Sequence, residues 1–360
     1  MTKKDKLYVD IHVIQTVPPS CVNRDDTGAP KQCIFGGVRR ARVSSQSWKR
    51  AVRLAFRDMY APEDLANRTK NIVGMVAKHI NEIDANADAT SLAVKALEGA
   101  GLSISKKDPK KGTDALFFMS EAQAKALADI AVSTSEKDMN KDACKYALKQ
   151  YPSIDMALFG RMVASDASLN YDASAMVAHA ISTHKVQTEF DYFTAVDDMS
   201  PEDNSGAGHL GTVEYNSSTL YRYASVNVVE LSESLGDDTP MAVRNFVEAF
   251  LLSMPTGKIT TFANRSIPNA VYVTVRTDQP VNMAAAFEKP IHIDEDGGYI
   301  VGSEVALMKY AKSAYDSFVE EPDKYWVIGK GMESLGNTVN LKTMLTEIDS
   351  LLTAKLAEER

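Results

Sequence analysis

Hydrophobic and polar positions alternate over residues 7–14, LYVDIHVI. A two-residue period predicts a β-strand with one buried side. The same alternation over 152–163 and the apolar-rich stretches over 220–231 and 270–278 predict three more strands. The pattern over 175–186 favours a strand over a short helix, because its apolar positions do not complete a helical stripe.

A helical period begins at residues 44–45, two serines that are both good N-cap residues. Trp48 and Val52 recur at the spacing of one buried helix face. Lys49 and Arg53 recur four residues apart on another face. The pattern therefore predicts a helix with a basic ridge opposite its core face.

Longer helical patterns occupy residues 63–150, 304–319 and 338–358. The pair Thr239–Pro240 is an N-cap residue followed by proline, which predicts the start of another helix. With the 63–150 segment set aside as a helical insertion, the predicted order is β, α, β, β, α, β. That order is typical of the α+β, ferredoxin-like arrangement, whose sheet holds single-stranded RNA in RNA-recognition-motif domains.

A long β-hairpin is predicted between the strand regions. Two short arms, around Tyr192–Phe193 and around His209–Leu210, flank a tip rich in Pro, Gly, Asp and Asn. Turn residues of these types between two such arms are typical of a hairpin connection.

Charge is distributed unevenly along the chain. The window 31–57 holds eight Lys or Arg and no acidic residue, whereas the whole chain has a net charge of −8. The remaining residues, 32 basic and 48 acidic, therefore sum to −16. Because binding of polyanions follows local potential, this segment indicates either a nucleic-acid contact or a solvated basic helix face.

Composition narrows the classes of protein. The 360 residues allow one to three domains, and their 44% hydrophobic content is typical of globular proteins. Three cysteines without repeated spacing make a disulfide framework improbable and favour a reducing, cytoplasmic setting. Neither a membrane span nor a signal peptide is expected.

The candidate catalytic groups are weak. HExxH, CxxC and Walker motifs are absent from the sequence, so neither a metal nor a cofactor is expected. The loop pairs Asp25–Asp26 and Asp197–Asp198 could hold a cation, although loop aspartates more often stabilise turns. Gly36–Gly37 is either a tight turn or part of an anion-binding loop that ends at the N-terminus of the predicted helix. The roles of His179 and His184 stay open.

Longer motifs carry a family resemblance. The string SCVNRDDTGAPKQCIFGGVRRARVSSQSWKRA resembles the N-terminal signature of the CasC family, the backbone subunit of Cascade, the type I-E CRISPR surveillance complex. The resemblance continues in order through GRM, AHAISTHKV, DYFTAVDD, HLGTVEYNSSTLYRYASVN, MPTGKITTFA and MAAAFEKPI. It spans residues 7 to about 291.

The resemblance implies a hand-shaped protein. Its palm, of RNA-recognition-motif type, would comprise residues 1–57, 151–186 and 217–360. Helical fingers would come from 58–150, and the hairpin 187–216 would be the thumb. Several copies would form a helical filament along one CRISPR RNA, and each thumb would kink that guide at a regular interval. The bases would remain available for pairing with target DNA.

The family motifs and the basic window together give the candidate site residues. The expected RNA contacts are Arg24, Lys31, Arg39, Arg40, Arg42, Ser44, Gln46, Lys49, Arg50, Arg53, Arg161 and Met162. Phe193 and Leu210 would be the thumb residues that insert beside the displaced base.

The implied partners are the CRISPR RNA, target DNA, other copies of the chain, and the large, small, guide-end and guide-processing subunits of Cascade. A non-enzymatic scaffold in antiviral defence is the expected role. A second hypothesis is a backbone subunit that cuts target RNA with a loop aspartate, for which Asp25 and Asp26 are the candidates.

Overall fold

The structure is a computed structural model of the chain. It describes residues 6–105, 108, 112–133, 139–164, 166–195, 199 and 209–358. Across these ranges, no helix is long and apolar enough to cross a membrane.

The fold is mixed α/β. Its strands are β1 (Tyr8–Ser20), β2 (Gln32–Phe35), β3 (Val38–Val43), β4 (Ala66–Thr69), β5 (Phe117–Ser120), β6 (Ala175–Val177), β7 (Ala180–Ser182), β8 (Glu189–Ala195), β9 (His209–Asn227), β10 (Ala270–Arg276) and β11 (Lys324–Ile328). Its α-helices are α1 (Ser45–Ala55), α2 (Ile72–Ile83), α3 (Ala89–Gly99), α4 (Glu121–Ser133), α5 (Lys141–Lys149), α6 (Ile154–Phe159), α7 (Val228–Leu235), α8 (Thr239–Leu252), α9 (Ile259–Phe262), α10 (Ile300–Ser317) and α11 (Leu341–Glu358).

The chain divides into two compact units. The first consists of Met1–Val52, Val177–Ser225 and Val243–Arg360, and the second of Arg53–Met176 and Val226–Ala242. These boundaries follow packing. The division into palm, fingers and thumb is a functional one and stays a prediction.

The first unit is built around a sheet with the strand order β11-β10-β1-β9-β7-β3-β2. β1 pairs antiparallel with β10, with Ile11 opposite Val273. The strand predicted over 7–14 is confirmed, but its burial is not one-sided, because Asp10 and His12 are as buried as Ile11. A strand between two neighbours in a sheet covered on both faces buries alternate positions equally.

Two helices pack on this sheet through aromatic side chains. Trp48 of α1 and Phe250 of α8 lie with ring centroids 6.5 Å apart, and both are buried. The guanidinium of Arg222, on β9, lies 3.7 Å from the Trp48 ring and donates to Gln15 and to the Phe250 carbonyl. Burial lowers the pKa of Arg222 to about 9. This arginine therefore belongs to the core.

The second unit is mainly helical, as the pattern over 63–150 predicts. Helices α2, α3, α4 and α5 bury a cluster that includes Val76, Leu97, Leu127 and Leu148. The sequence missed the two-stranded sheet of β4 and β5, whose strands are only four residues long. Short buried strands such as FFMS have no room for a full period.

The strand predicted over 152–163 is wrong. Residues Ile154–Phe159 form helix α6, whose N-cap is Ser153 and which ends at Gly160 with φ +74°. Asp155 is buried in the helix and accepts hydrogen bonds from Ser153 and from the Ala66 N–H. A buried carboxylate between apolar residues imitates the alternation of a strand.

The strand predicted over 220–231 ends early. Asn227 is the last residue of β9 and caps α7 by accepting from the Glu230 N–H, so residues 228–231 are helical. The predictions of strands within 175–186 and 270–278 and of helices near 239, 304–319 and 338–358 are confirmed.

Candidate nucleic-acid interface

The Gly36–Gly37 pair is the turn of the β2–β3 hairpin. Both residues have positive φ, +58° and +76°. A Cβ at Gly36 would lie 1.7 Å from the Glu288 carbonyl oxygen, so the backbone there is held against another segment of the first unit. The pair thus has a packing role, and the turn reading explains it without an anion.

The three arginines of β3 differ in environment. Arg39 is exposed, whereas Arg40 is fully buried. Arg40 donates to the carbonyls of Phe35, Ser182 and Phe287 at 2.8 to 3.2 Å, and burial lowers its pKa. The prediction that Arg40 contacts RNA conflicts with this geometry, because its guanidinium joins backbone segments inside the unit.

Helix α1 begins at a fixed junction. Ser44 Oγ accepts from the Ser47 N–H at 3.3 Å, the N-cap bond expected from the sequence. The Ser44 N–H donates to Asn23 Oδ1 at 2.9 Å, which ties the first loop to the helix start. Gln46 points outward and is exposed. The first turn of α1 therefore presents a polar surface at its N-terminus.

Cations surround this junction in the first unit. Of the described basic residues from Arg24 to Arg50 in this unit, four have side chains with neither an ion pair nor a hydrogen bond: Arg24, Lys31, Arg39 and Arg50. Arg42 is partly engaged, since its Nε donates to the Gln32 carbonyl. Burial lowers the pKa of Lys49, which is half-buried on α1. The four unengaged cations can meet an anion without first breaking an internal bond.

Arg53, in the second unit, is engaged within the fold. Its Nε lies 3.0 Å from Asp155 Oδ2, and its NH2 donates to the Ala66 carbonyl at 3.2 Å. The guanidinium also lies 4.4 Å from the centroid of the Phe118 ring. A phosphate contact by this side chain would compete with three internal partners.

The Arg161–Met162 pair is divided between core and surface of the second unit. Arg161 is 4% exposed and donates to the carbonyls of Leu148 and Leu169 and to Gln123 Oε1. Burial lowers its pKa to about 10. Met162 is 85% exposed. The prediction of a direct RNA contact is therefore compatible with Met162 and conflicts with the burial of Arg161.

The predicted hairpin forms between β8 and β9. Glu189 pairs with Tyr215 and Ala195 with His209, in antiparallel register. Phe193 lies opposite Gly211, and a Cβ at Gly211 would come within 2.3 Å of the Phe193 ring. Phe190 and Tyr192 are each more than 60% exposed and add apolar surface, a role that the sequence did not predict for them.

Two parts of the hairpin prediction lie outside what the structure describes. Leu210 pairs through its backbone with Thr194, but its side chain is not among the described ones. Most of the acidic tip, with Asp197–Asp198, also lies outside the described residues.

Comparison with known proteins identifies the family. No curated protein sequence matches the chain. A family model, Cas_CT1975, described as "CT1975-like protein", matches residues 9–354. The chain belongs to the CT1975-like family. That match includes nearly every residue described above.

Solved structures agree with this assignment. One chain of a "CRISPR RNA-guided surveillance complex, pre-nicking" is 33% identical to this CT1975-like protein, with a TM-score of 0.84 over 96% of this chain and 99% of that one. A chain of a second "CRISPR RNA-guided surveillance complex" is 27% identical, with a TM-score of 0.60 over 97% and 99% of the two chains.

His179 lies beside the start of α1, a position that the sequence did not predict. Nδ1 of this exposed histidine accepts from the Ser45 N–H at 3.2 Å and from Arg42 at 3.3 Å. Burial and the charges of Arg42 and Lys31 lower its pKa. With Nδ1 accepting, the proton of the neutral ring is on Nε2, which leaves a hydrogen-bond donor beside the helix start.

His184 has a structural role in this CT1975-like protein. Its Nε2 accepts from the Thr219 N–H at 3.0 Å, and its Nδ1 donates to the Lys185 carbonyl at 2.8 Å. The ring stacks on Tyr299 at 3.5 Å. All of its polar capacity is used inside the first unit.

The loop aspartate Asp25 acts as a turn acceptor. One carboxylate oxygen accepts from the N–H and hydroxyl of Thr27 and from the Ala29 N–H, and these hydrogen bonds lower its pKa. The described residues contain no cluster of three or more His, Cys, Asp or Glu that could hold a metal.

Proposed function

We propose that this CT1975-like protein is the CRISPR RNA-binding backbone subunit of a type I-E Cascade surveillance complex. The observation that carries the proposal is the group of four unengaged cations around the α1 junction, in a chain 33% identical to part of a CRISPR RNA-guided surveillance complex. Copies of the chain bind one guide side by side, together with the other Cascade subunits, in the cytoplasm.

Phosphate contact is the mode of binding that suits such a subunit. A guide has a variable sequence, so a protein that holds every guide must contact phosphate and ribose. Arg24, Lys31, Arg39 and Arg50 supply charge for that purpose, and Gln46 and His179 supply hydrogen-bond donors. Base edges then stay available for target DNA, whose sequence is read by pairing.

The strand order supports a palm of RNA-recognition-motif type. In chain order, four core strands are β1, β7, β9 and β10, and they lie in the sheet as β10-β1-β9-β7. Helix α1 follows β1, and α8 follows β9. This is the connectivity of the split βαβ arrangement.

The β8–β9 hairpin is the proposed thumb. Exposed Phe190, Tyr192 and Phe193 give it apolar and aromatic surface, which can stack on or separate bases. In the assembled complex the hairpin kinks the guide and displaces one base for each subunit.

A scaffold role without catalysis is part of the proposal. The alternative, cleavage of target RNA by a loop aspartate, receives less support because the Asp25 carboxylate is occupied by turn hydrogen bonds. Incubation of guide-loaded protein with complementary RNA and Mg²⁺ tests this point. Periodic cuts that disappear in Asp25→Ala or Asp26→Ala would replace the scaffold by a nuclease.

Sequencing of RNA that co-purifies with the protein from its host tests the main proposal. We expect short RNAs flanked by CRISPR repeat sequence, and a particle whose sedimentation increases with guide length. A monomer that carries random RNA fragments would contradict the proposal.

A further inference from the structure

A small pocket opens in the first unit where the first loop meets β3 and β9. Its polar lining consists of Ser20, Asn23, Lys31, Arg42, Asn216 and Ser218, and the rest of its lining is apolar. Asn216 lies on β9 between the residues that pair with β8 and those that pair with β7. Asn216 lies within the motif HLGTVEYNSSTLYRYASVN, but the sequence predicts no role for it.

Asn216 is an unpaired donor. The residue is 7% exposed, and its buried Nδ2 has no acceptor within the described part of the chain. A buried donor without a partner is unfavourable for the folded state, and most buried polar groups are paired. Asn216 also lines the pocket, so a molecule bound there would lie next to this side chain.

The charges of the pocket define that acceptor. Lys31 and Arg42 both line it, and no described acidic side chain does. The Lys31 ammonium has no partner among the described residues. A pocket lined by an amide donor and two cations favours an acceptor that carries negative charge. We propose that the pocket holds one phosphate group of the bound nucleic acid, with Asn216 Nδ2 as a donor to a phosphate oxygen. This assignment rests on the RNA-binding function proposed above.

The pocket is held in shape before a ligand arrives. The Lys31 N–H donates to the Asn23 carbonyl at 2.8 Å, and the Arg42 N–H donates to the Lys31 carbonyl at 2.9 Å. Asn23 in turn accepts from the Ser44 N–H, so the pocket wall continues into the start of α1. A preorganised wall reduces the entropy that binding would otherwise lose.

Because the Asn216 donor is unpaired in the free protein, its removal should affect ligand binding and stability differently. If Asn216 serves the ligand, its removal weakens binding and leaves the free protein as stable as before, or more stable. A purely structural amide would behave in the opposite way. Removal of a neutral donor also leaves the salt dependence of binding unchanged, whereas loss of a cation reduces it.

The test compares Asn216→Ala, Asn216→Asp and the control Ser217→Ala at an exposed neighbouring position. Affinity for a fluorescent single-stranded RNA is measured at several salt concentrations, and the melting temperature of each free protein is recorded. We expect about tenfold weaker binding for Asn216→Ala with the same salt slope. Asn216→Asp should weaken binding further, because it places a carboxylate against the phosphate. Ser217→Ala should match the original protein.

A DNA oligonucleotide of the same sequence forms the second arm. Phosphate is common to both polymers, so Asn216→Ala should weaken binding to each by the same factor. A loss confined to RNA would show that the amide recognises the 2′-hydroxyl and would overturn the phosphate assignment. Unchanged RNA binding by Asn216→Ala, or a lower melting temperature with unchanged binding, would also overturn it. Failure of the original protein to bind RNA would refute this inference and the proposed function together.

Discussion

Two arginine-containing segments of this protein use the same residue type in opposite ways. Around α1, in the first unit, Arg39 and Lys31 have no partner among the described residues. At the start of the segment Arg161–Met162, in the second unit, the guanidinium is 4% exposed and its donors are used by protein carbonyls. Both segments belong to motifs that resemble the CasC family, so motif membership alone does not say which arginines meet a ligand.

The difference has a physical origin. A guanidinium carries five donors in a rigid fork, and a fold can use them to join backbone segments that lack regular pairing. Arg40 and Arg161 do this, each with three or more internal acceptors. The cations that remain unengaged are those for which the fold supplies no acceptor, and these are the ones available to a polyanion.

Arg161→Ala should give the largest effect. It removes the hydrogen bonds that Arg161 donates to the carbonyls of Leu148, Leu169 and Phe118 and opens a space between Phe117 and Tyr171. Loss of a buried charged group from such a network destabilises by about 3 kcal/mol or more. Urea unfolding measures this free energy. Met162→Ala, its exposed neighbour, is the control and should change stability by less than about 0.5 kcal/mol. Equal stability of the two variants would contradict the conclusion that Arg161 is required by the fold whereas Met162 is free to contact a ligand.

The buried pair Asp10 and His12 should give opposing pH effects on stability. Burial raises the pKa of Asp10 to about 6, so the stability it contributes is present below about pH 4 and is lost as pH rises through 6. Burial, with the charge of Arg276, lowers the pKa of His12 to about 3. The stability that His12 contributes is present above about pH 6.5 and is lost as pH falls.

Single variants separate these two contributions. In Asp10→Asn, the free energy of unfolding should decrease more steeply than in the original protein as pH falls from 6 to 4, by up to about 1.4 kcal/mol per pH unit. In His12→Gln, it should decrease less steeply over the same range. Urea unfolding at half-unit pH steps provides the measurement. Parallel profiles for all three proteins would show that neither group titrates with the shifted pKa.

Lys31→Ala combined with Arg39→Ala should weaken RNA binding without unfolding the protein. Two lost phosphate contacts reduce affinity by on the order of tenfold and lower the salt slope by about 1.4. Fluorescence anisotropy at several salt concentrations measures both. Lys309→Ala with Lys312→Ala, two exposed positions on α10, removes the same charge elsewhere on the first unit. If both double variants lose affinity equally, the effect is one of total charge and the α1 junction is not the site.

The sequence would have suggested a different pair. Its basic ridge names Lys49 and Arg53, but Arg53 pairs with Asp155 at 3.0 Å. Replacement of Arg53 would leave a buried carboxylate without its cation, and weak RNA binding could then result from misfolding. Helical spacing identifies which residues share a face. It does not show that a residue on a distant segment, here Asp155, 102 positions away, lies opposite.

The sequence predicts the elements that depend on interactions between neighbouring residues, and it misses the features that depend on residues far apart in the chain. β1, α1, the β8–β9 hairpin and α10 depend on local periodicity and caps, and the sequence predicts them. The sequence of helix α6 has the alternating pattern of a strand, because the polar residue Asp155 lies between apolar residues. Asp155 is buried where it binds Arg53 and the Ala66 N–H, which are distant in the chain. Arg40 donates to the Phe287 carbonyl, 247 positions away, and Arg161 donates to the Phe118 carbonyl, 43 positions away. Asn216 shares its pocket with residues from the first part of the chain, such as Lys31. No local pattern records such contacts.

Phe193→Ala should have the smallest effect on the free protein. Its ring lies against the Gly211 backbone and is 40% exposed, so its loss should destabilise by only about 1 kcal/mol. If the hairpin is the thumb, the variant should still bind guide RNA but capture complementary DNA a few-fold more slowly, because the displaced base is no longer held. Stopped-flow pairing kinetics on guide-loaded protein measure this rate. Thr194→Ala is the matched control on the same strand, since Thr194 is exposed and positions 193 and 194 face opposite sides of the hairpin. A Phe193→Ala protein that fails to fold would place this ring with the buried arginines, among the side chains that the fold itself requires.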